Sequence, residues 1–206
     1  MIEEVPHLLR ADARENRDRA LEAARVLFAE QGISVTMRQV ARRAQVGPAT
    51  LYRRFPTKQT LVEAAFADEV RACRSLVEDG CAAPDPWLGS CSVVAGLVLL
   101  HARNYGFTEA FTAAAPDVDT FAAHRAALLR RLAGLARRAQ DAGALRRDFV
   151  VDDLVLVLLA GRGLSSLAPR HREKAARRFA ALSIDGFRSN GATGPLPRAP
   201  RLTSGP

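Results

Sequence analysis

The chain has 206 residues, 48% of them apolar and 25% charged, a length that suits one large domain or a small domain fused to a medium one. Such a balance excludes wholesale disorder, which needs few hydrophobes and a large net charge per residue. Its net charge of +8 favours polyanionic partners, nucleic acid first and an anionic membrane surface second.

The first helical signal runs from Ala13 to Gln31, where Ala20, Leu21, Ala24, Leu27 and Phe28 recur at steps of one, three and four, and Gly32 supplies the C-cap. A short second helix follows Thr36, a good N-cap, and turns Val40, Ala41 and Ala44 inward. After the turn Gln45–Val46–Gly47, Pro48 stands at a first helical position, where its missing N–H is harmless. This third helix ends at Arg54, before Phe55–Pro56, and Thr57 caps a fourth expected to reach about Asp79. The APDP stretch ending at Pro86 cannot continue a helix. Beyond it, helices are expected at about Pro86–Asn104, Phe107–Ala115, Val118–Asp141, Asp153–Leu167 and Pro169–Arg188, with glycine or proline at the boundaries. The closing stretch NGATGPLPRAPRLTSGP is rich in Gly and Pro and expected to be disordered. No strand signal occurs, so the expected fold class is all-α, with about nine helices.

Apolar runs such as Val93–Leu100 fall far short of the roughly 20 residues that span a bilayer. The charged N-terminus has no apolar stretch of a signal peptide, so a cytoplasmic chain with no membrane partner is expected. Cys73, Cys81 and Cys91 form no CxxC pair and fit neither a disulfide scaffold nor a zinc site. No metal or cofactor is expected. Two lysines, Lys58 and Lys174, leave 28 of the 30 basic residues as arginine, a bias that a GC-rich genome also produces.

The second and third helices, joined by a short turn with small residues before it, have the arithmetic of a helix-turn-helix. An ordinary helical hairpin has the same outline, and charge separates the two. From Gln31 to Val62 stand six cations, Arg38, Arg42, Arg43, Arg53, Arg54 and Lys58, and no acid. A structural hairpin usually mixes both signs on its wet face. Ahead of it, Arg10, Arg14, Arg17 and Arg19 alternate with Asp12, Glu15 and Asp18, which suits either a solvated mixed face or an arginine arm against phosphates.

The pattern Gly32–x3–Thr36–x3–Val40–Ala41–x2–Ala44–x–Val46–x3–Thr50–Leu51–Tyr52–x2–Phe55–x2–Lys58–x2–Leu61 resembles the DNA-binding domain of the TetR family of bacterial transcriptional regulators. The likeness is gap-free over roughly Arg14 to Phe66. A weaker one, Gly143–Ala144–Leu145–Arg146–Arg147–Asp148, is similar to the turn before the last two helices in some actinobacterial members. The resemblance implies a recognition helix over Pro48–Arg54 in the major groove of a double-stranded operator. It implies that Thr36 and Tyr52 bond phosphates, that Lys58 adds its charge to a helix N-terminus, and that Thr50 touches phosphate or a thymine methyl. Arg53 is placed to reach a guanine, while Arg54 and Arg38 grip backbone. Members often carry Ser, a polar residue and Gly where this chain has Gly47, Pro48 and Ala49, so base reading must lean on Arg53, Gln39 and Arg38.

Catalytic signals are lacking: the four histidines make no HxxxH or HExxH spacing, and GRGLSSLA is not a GxSxG elbow. An enzyme is therefore not expected. Phe66, Trp87, Val94, His101, Phe107, Phe111 and Phe121 can line an apolar cavity among the middle helices or equally fill an ordinary core. The resemblance adds a small-molecule effector as the occupant. Leu154, Val155, Leu158 and Gly161, with Phe179, Ser183 and Phe187, offer apolar faces on the last two helices. A helix apolar all round must be buried in a core or an interface, and the resemblance implies a homodimer. The expected organisation is a DNA-binding domain at 1–56, an effector and dimerisation domain at 57–189, and a tail at 190–206. The expected function is a repressor released from a palindrome by a hydrophobic effector, the alternative being an effector-independent regulator or architectural protein.

Overall fold

The computed structural model describes residues 4–112, 121–191, 194–200 and 202. Among them are ten α-helices, three 3₁₀ or bridge-like exceptions at Gly161–Ser166, Ser189–Gly191 and the Leu145–Arg188 pair, and no β-strand. The helices are α1 (Glu4–Gln31), α2 (Met37–Ala44), α3 (Pro48–Arg54), α4 (Lys58–Ala65), α5 (Ala67–Ala82), α6 (Pro86–Arg103), α7 (Tyr105–Thr112), α8 (Ala122–Asp141), α9 (Val151–Ala160) and α10 (Pro169–Phe187). Two compact units divide between Asp68 and Glu69.

In the first unit, α1 runs from Glu4, well ahead of the expected start, and Gly32 closes it at φ 75° by donating to the Phe28 carbonyl. The buried stripe Ala20, Leu21, Ala24, Leu27 and Phe28 is the one its 3.6-residue period dictates. Arg14, Arg17 and Arg19 ride on this helix, Arg17 paired with Asp18; the side chain of Arg10 lies outside the described residues. Against α1 pack α2, α3 and α4.

Where a single fourth helix was expected, two occur. Phe66 leaves helical geometry at φ −103°, ψ 14°, and nothing in the local sequence breaks a helix there. The cause is tertiary. Arg25 donates through Nε to the Ala65 carbonyl at 3.1 Å, and the fully buried Phe66 ring packs on Phe28 with centroids 5.7 Å apart. Leu61, Val62 and Ala65 bury in the same unit, so α4 belongs to the head although it lies beyond residue 56.

In the second unit α6 is central: α10, α8, α7, α9 and the 3₁₀ segment all pack on it. Asp85 starts α6 by accepting from the Trp87 and Leu88 N–H groups at 2.8 and 3.0 Å, with Pro86 at its first position. α5 meets α6 at two glycines. A Cβ at Gly89 would strike the Gly80 carbonyl oxygen, and a Cβ at Gly80 would strike a Val93 methyl. The segment expected to carry α9 on to Leu167 is instead a 3₁₀ helix from Gly161 to Ser166. Gly161 and Gly163 weaken the α-helix there. The parts of the Phe107–Ala115 and Val118–Asp141 expectations that fall on 113–120 lie outside the described residues.

The turn after α8 is fastened by an ion pair between a buried arginine and an exposed aspartate. Gly143, at φ 73°, ends α8, and Arg146 then grips Asp148 with two guanidinium nitrogens. The same guanidinium donates to the Gly186 and Gly194 carbonyls at 3.3 and 2.9 Å, and Asp148 accepts from the Leu196 N–H at 2.7 Å. At 194–200 the closing segment is thus irregular yet tied to this turn. The Arg146 guanidinium and the Leu196 amide hold the Asp148 carboxyl well below the usual carboxylate range, whereas burial alone lowers His101 to about 4.

Both groups bind fewer protons folded than unfolded, so stability must rise with pH across their windows. His101 is expected to cost roughly 1.4 kcal/mol per pH unit as the pH drops from about 6.5 towards 4, because only the unfolded chain takes up its proton. Asp148 adds its loss below about pH 4, as protonation removes its hold on Arg146. Thermal melts from pH 7 to 3 check this: a flat Tm over the range would contradict both, and Asp148→Asn should melt lower at pH 7 and flatten the acid limb.

Candidate nucleic-acid interface and apolar cavities

The turn between α2 and α3 is built locally. Thr36 Oγ1 accepts from the Gln39 N–H at 3.3 Å and Gln39 Oε1 accepts from the Thr36 N–H at 2.7 Å, a capping box that sets the start of α2. Gln45 ends α2 in the left-handed region at φ 55°, with Val46 N–H donating to the Ala41 carbonyl at 3.1 Å. Gly47 and Pro48 then begin α3. Val40, Ala41, Ala44, Leu51 and Phe55 are buried beneath. Outward stand Arg38, Arg42, Arg43, Tyr52, Arg53 and Arg54, all exposed, and none of these arginines is in an ion pair among the described residues. Pro48 and Ala49 are exposed, and Thr50 and Lys58 half-buried. Lys58 is the first residue of α4, whose start Thr57 and Thr60 cap reciprocally.

Two details go beyond the sequence reading. The Thr36 hydroxyl donates to Gln39 Oε1 at 2.8 Å, so both side chains are engaged with each other. Gln39 therefore keeps only its amide N–H groups for an outside partner. A groove also brings Asn16 and Arg17 of α1 beside Thr50, Arg53 and Arg54 of α3. Asn16 carried no signal in the sequence, because its place is set by how α1 crosses α3.

In the second unit, two apolar cavities of about 30 and 50 Å³ share Leu132 and Leu154 in their walls. Trp87 and Val94 line the smaller, with Phe149, Ile184 and Phe187; Arg188 lies over the Trp87 ring, 5.1 Å from its centroid. His101 and Phe111 line the larger, with Leu97, Leu128, Leu158 and Arg125. Phe107 is fully buried behind them, 5.1 Å from the His101 ring and 6.3 Å from Phe121. Phe66 is not among them, since it packs in the first unit. Both cavities are far below the roughly 300 Å³ at which drug-sized ligands are usually held.

The residues expected to face a second copy turn largely inward. Leu154 and Leu158 are buried in the wall of the larger cavity, which the half-buried Val155 also lines. Gly161 is buried against Phe179, Phe187 stacks edge-on with Phe149 at 4.9 Å, and the Ser183 hydroxyl bonds the Phe179 carbonyl within α10. The large apolar side chains left exposed on α9 and α10 are Leu156 at 48% and Leu182 at 59%. A helix apolar on every side does not reveal which side its neighbours take.

Two family models match the chain: "Bacterial regulatory proteins, tetR family" over residues 20–65, and "Transcriptional regulator SbtR-like, C-terminal domain" over 91–189. Among solved structures, a TetR transcriptional regulator from Streptomyces coelicolor is 31% identical, with a TM-score of 0.54 over 84% of this chain and 98% of that one. A TetR transcription regulatory protein from Mycobacterium vanbaalenii is 34% identical, with a TM-score of 0.50 over 87% and 99%. The chain belongs to the TetR family of bacterial transcriptional regulators. An HTH-type transcriptional regulator of Staphylococcus aureus is 43% identical, but over only 54 residues. These are 26% of this chain, and the chain spans about 29% of that relative's length. For this TetR-family chain the all-α expectation holds, and the splitting of the fourth helix accounts for ten α-helices rather than nine among the described residues. No helix is long and apolar enough to cross a membrane among the described residues.

Proposed function

We propose that this chain is a DNA-binding regulator that acts as a homodimer on a palindromic operator and is released by a small apolar effector. The observation that carries the reading is the exposed cationic face of α2 and α3, set on a buried apolar underside within a segment free of acids. Such a face attracts the phosphate backbone, and a seven-residue helix presented by a short turn fits the major groove. Arg53 is the best-placed side chain to read a base, with a guanine O6/N7 edge as its partner. Tyr52, Arg54, Arg38 and Lys58 belong on phosphates. Thr36, whose hydroxyl and backbone hydrogens both go to Gln39 Oε1, reaches a phosphate only by giving up that cap. Gln39, its oxygen taken by the cap, can donate to a base but cannot make the two-way contact with adenine. Half-sites are expected about 34–36 Å, or a multiple of it, apart on one face of the duplex.

Arg53→Ala is expected to lose about 1–3 kcal/mol on the operator and to relax preference at one base pair, whereas Tyr52→Phe weakens all sequences alike. Fluorescence anisotropy on operator and scrambled duplexes at several salt concentrations measures this. Equal losses on both duplexes for Arg53→Ala move it to the phosphate class, and binding insensitive to salt overturns the DNA reading.

The small size of the two cavities favours a second reading, an effector-independent regulator. Titrating the protein–operator complex with hydrophobic compounds decides between them: release by compounds that enter the second unit supports the effector, and release by none supports the alternative.

A further inference from the structure

The larger cavity holds one buried polar group without a partner. His101 is 4% exposed. Its Nδ1 lies 3.0 Å from Thr108 Oγ1, and that hydroxyl also lies 3.0 Å from the His101 carbonyl and 3.2 Å from the Asn104 carbonyl. With the single hydroxyl hydrogen on either carbonyl, as those distances allow, Thr108 Oγ1 accepts from His101 and the imidazole proton sits on Nδ1. The ring is uncharged near neutral pH, because burial lowers it to about 4. Nε2 is left as a bare acceptor, buried and without a hydrogen-bond partner, on a ring that lines a cavity walled mostly by apolar side chains such as Leu97, Phe111, Leu128 and Leu158, with Thr112 and Arg125 as its other polar residues. Such a lone pair forfeits its hydrogen bond to water on folding, a loss that only a donor can restore.

We infer that the larger cavity selects apolar ligands carrying a neutral O–H or N–H donor, which His101 Nε2 accepts. This rests on the effector reading above and specifies its chemistry. The cavity is small at rest, so the occupant is compact or pushes its apolar walls apart as it enters. Thr108 is a positioning residue: it fixes the tautomer that makes Nε2 an acceptor.

The test uses phenol and toluene, a pair of similar shape of which only phenol donates. Binding to the full chain, with histidine nitrogens isotope-labelled, is followed by NMR, which reads the tautomer of His101 directly in the free protein. The expected result is a proton on Nδ1, phenol binding about tenfold more tightly than toluene, and a shift of the His101 Nε2 resonance on adding phenol. His101→Phe, which keeps an aromatic wall and removes the acceptor, should abolish the preference while still admitting toluene. A proton on Nε2 in the free protein overturns the inference whether or not the variant folds. Equal binding of both probes, or a preference that survives His101→Phe, overturns the donor rule and leaves the cavity as a ligand site. Failure of both probes to perturb any residue of the cavity overturns the inference, while the effector reading is decided separately by the operator-release titration.

Discussion

Leu182→Arg is expected to yield a folded monomer, and Leu158→Arg an unfolded one. Both side chains lie on helices expected to pair across a two-fold axis, but Leu182 is 59% exposed and Leu158 is 6% exposed within its own chain. An arginine at 182 meets water in the monomer and faces its symmetry mate in a pair, so the like charges act on assembly alone. An arginine at 158 puts an unpaired charge into the wall that Leu97 and Leu128 also line and removes apolar contacts, a loss of at least about 4 kcal/mol. Against a typical total stability of about 5–15 kcal/mol, that leaves little of the fold. Light scattering and circular dichroism separate the cases. A Leu182→Arg protein that stays dimeric places the interface elsewhere, and a Leu158→Arg protein with wild-type ellipticity contradicts the inward packing of α9.

Gly89→Ala should destabilise the second unit, while Gly134→Ala should not. The added methyl at 89 meets the Gly80 carbonyl oxygen, a backbone atom that cannot swing aside. Forcing α5 and α6 apart is expected to cost about 1–3 kcal/mol or more, which lowers Tm by about 2–4 °C per kcal/mol in a chain of this length. The same methyl at 134 meets nothing within 4 Å in the interior of α8, and there it should gain about 0.5–1 kcal/mol through helix propensity. Melting curves of the two variants should therefore shift in opposite directions. Shifts of the same sign would mean that propensity, not the crossing of α5 and α6, governs both.

Much of the fold was legible where a local rule decides. Thr36 as a cap, Pro86 as the start of α6, and Gly32 and Gly143 at φ near +75° follow from which atoms satisfy a helix end. What escaped depends on partners distant in sequence. The break at Phe66 needs Arg25, 40 residues before the carbonyl it binds. The orientation of α9 needs α6 and α8 to choose among equally apolar faces, which is why Leu158 read as an interface residue and Leu156 did not. Of the candidate site, the cationic face could be read from charge alone, because exposure is what an acid-free polar segment implies. The cavity walls could not, since Phe66 and Phe111 have the same chemistry and differ only in which unit surrounds them.

The start of α2 has a consequence for how much a half-site can say. With the Gln39 oxygen committed to its own helix, and Gly47, Pro48 and Ala49 leading α3 without a polar side chain, few groups remain that can spell out bases. An address written by so few letters recurs by chance throughout a genome that offers roughly 10⁶–10⁹ competing positions. On the proposed reading, one copy alone would wander among many near matches. The second copy supplies the rest of the word, and the fixed interval between the halves acts as punctuation. Selection for a unique target would then bear as heavily on whatever holds the two copies at their spacing as on the arginines that touch the bases.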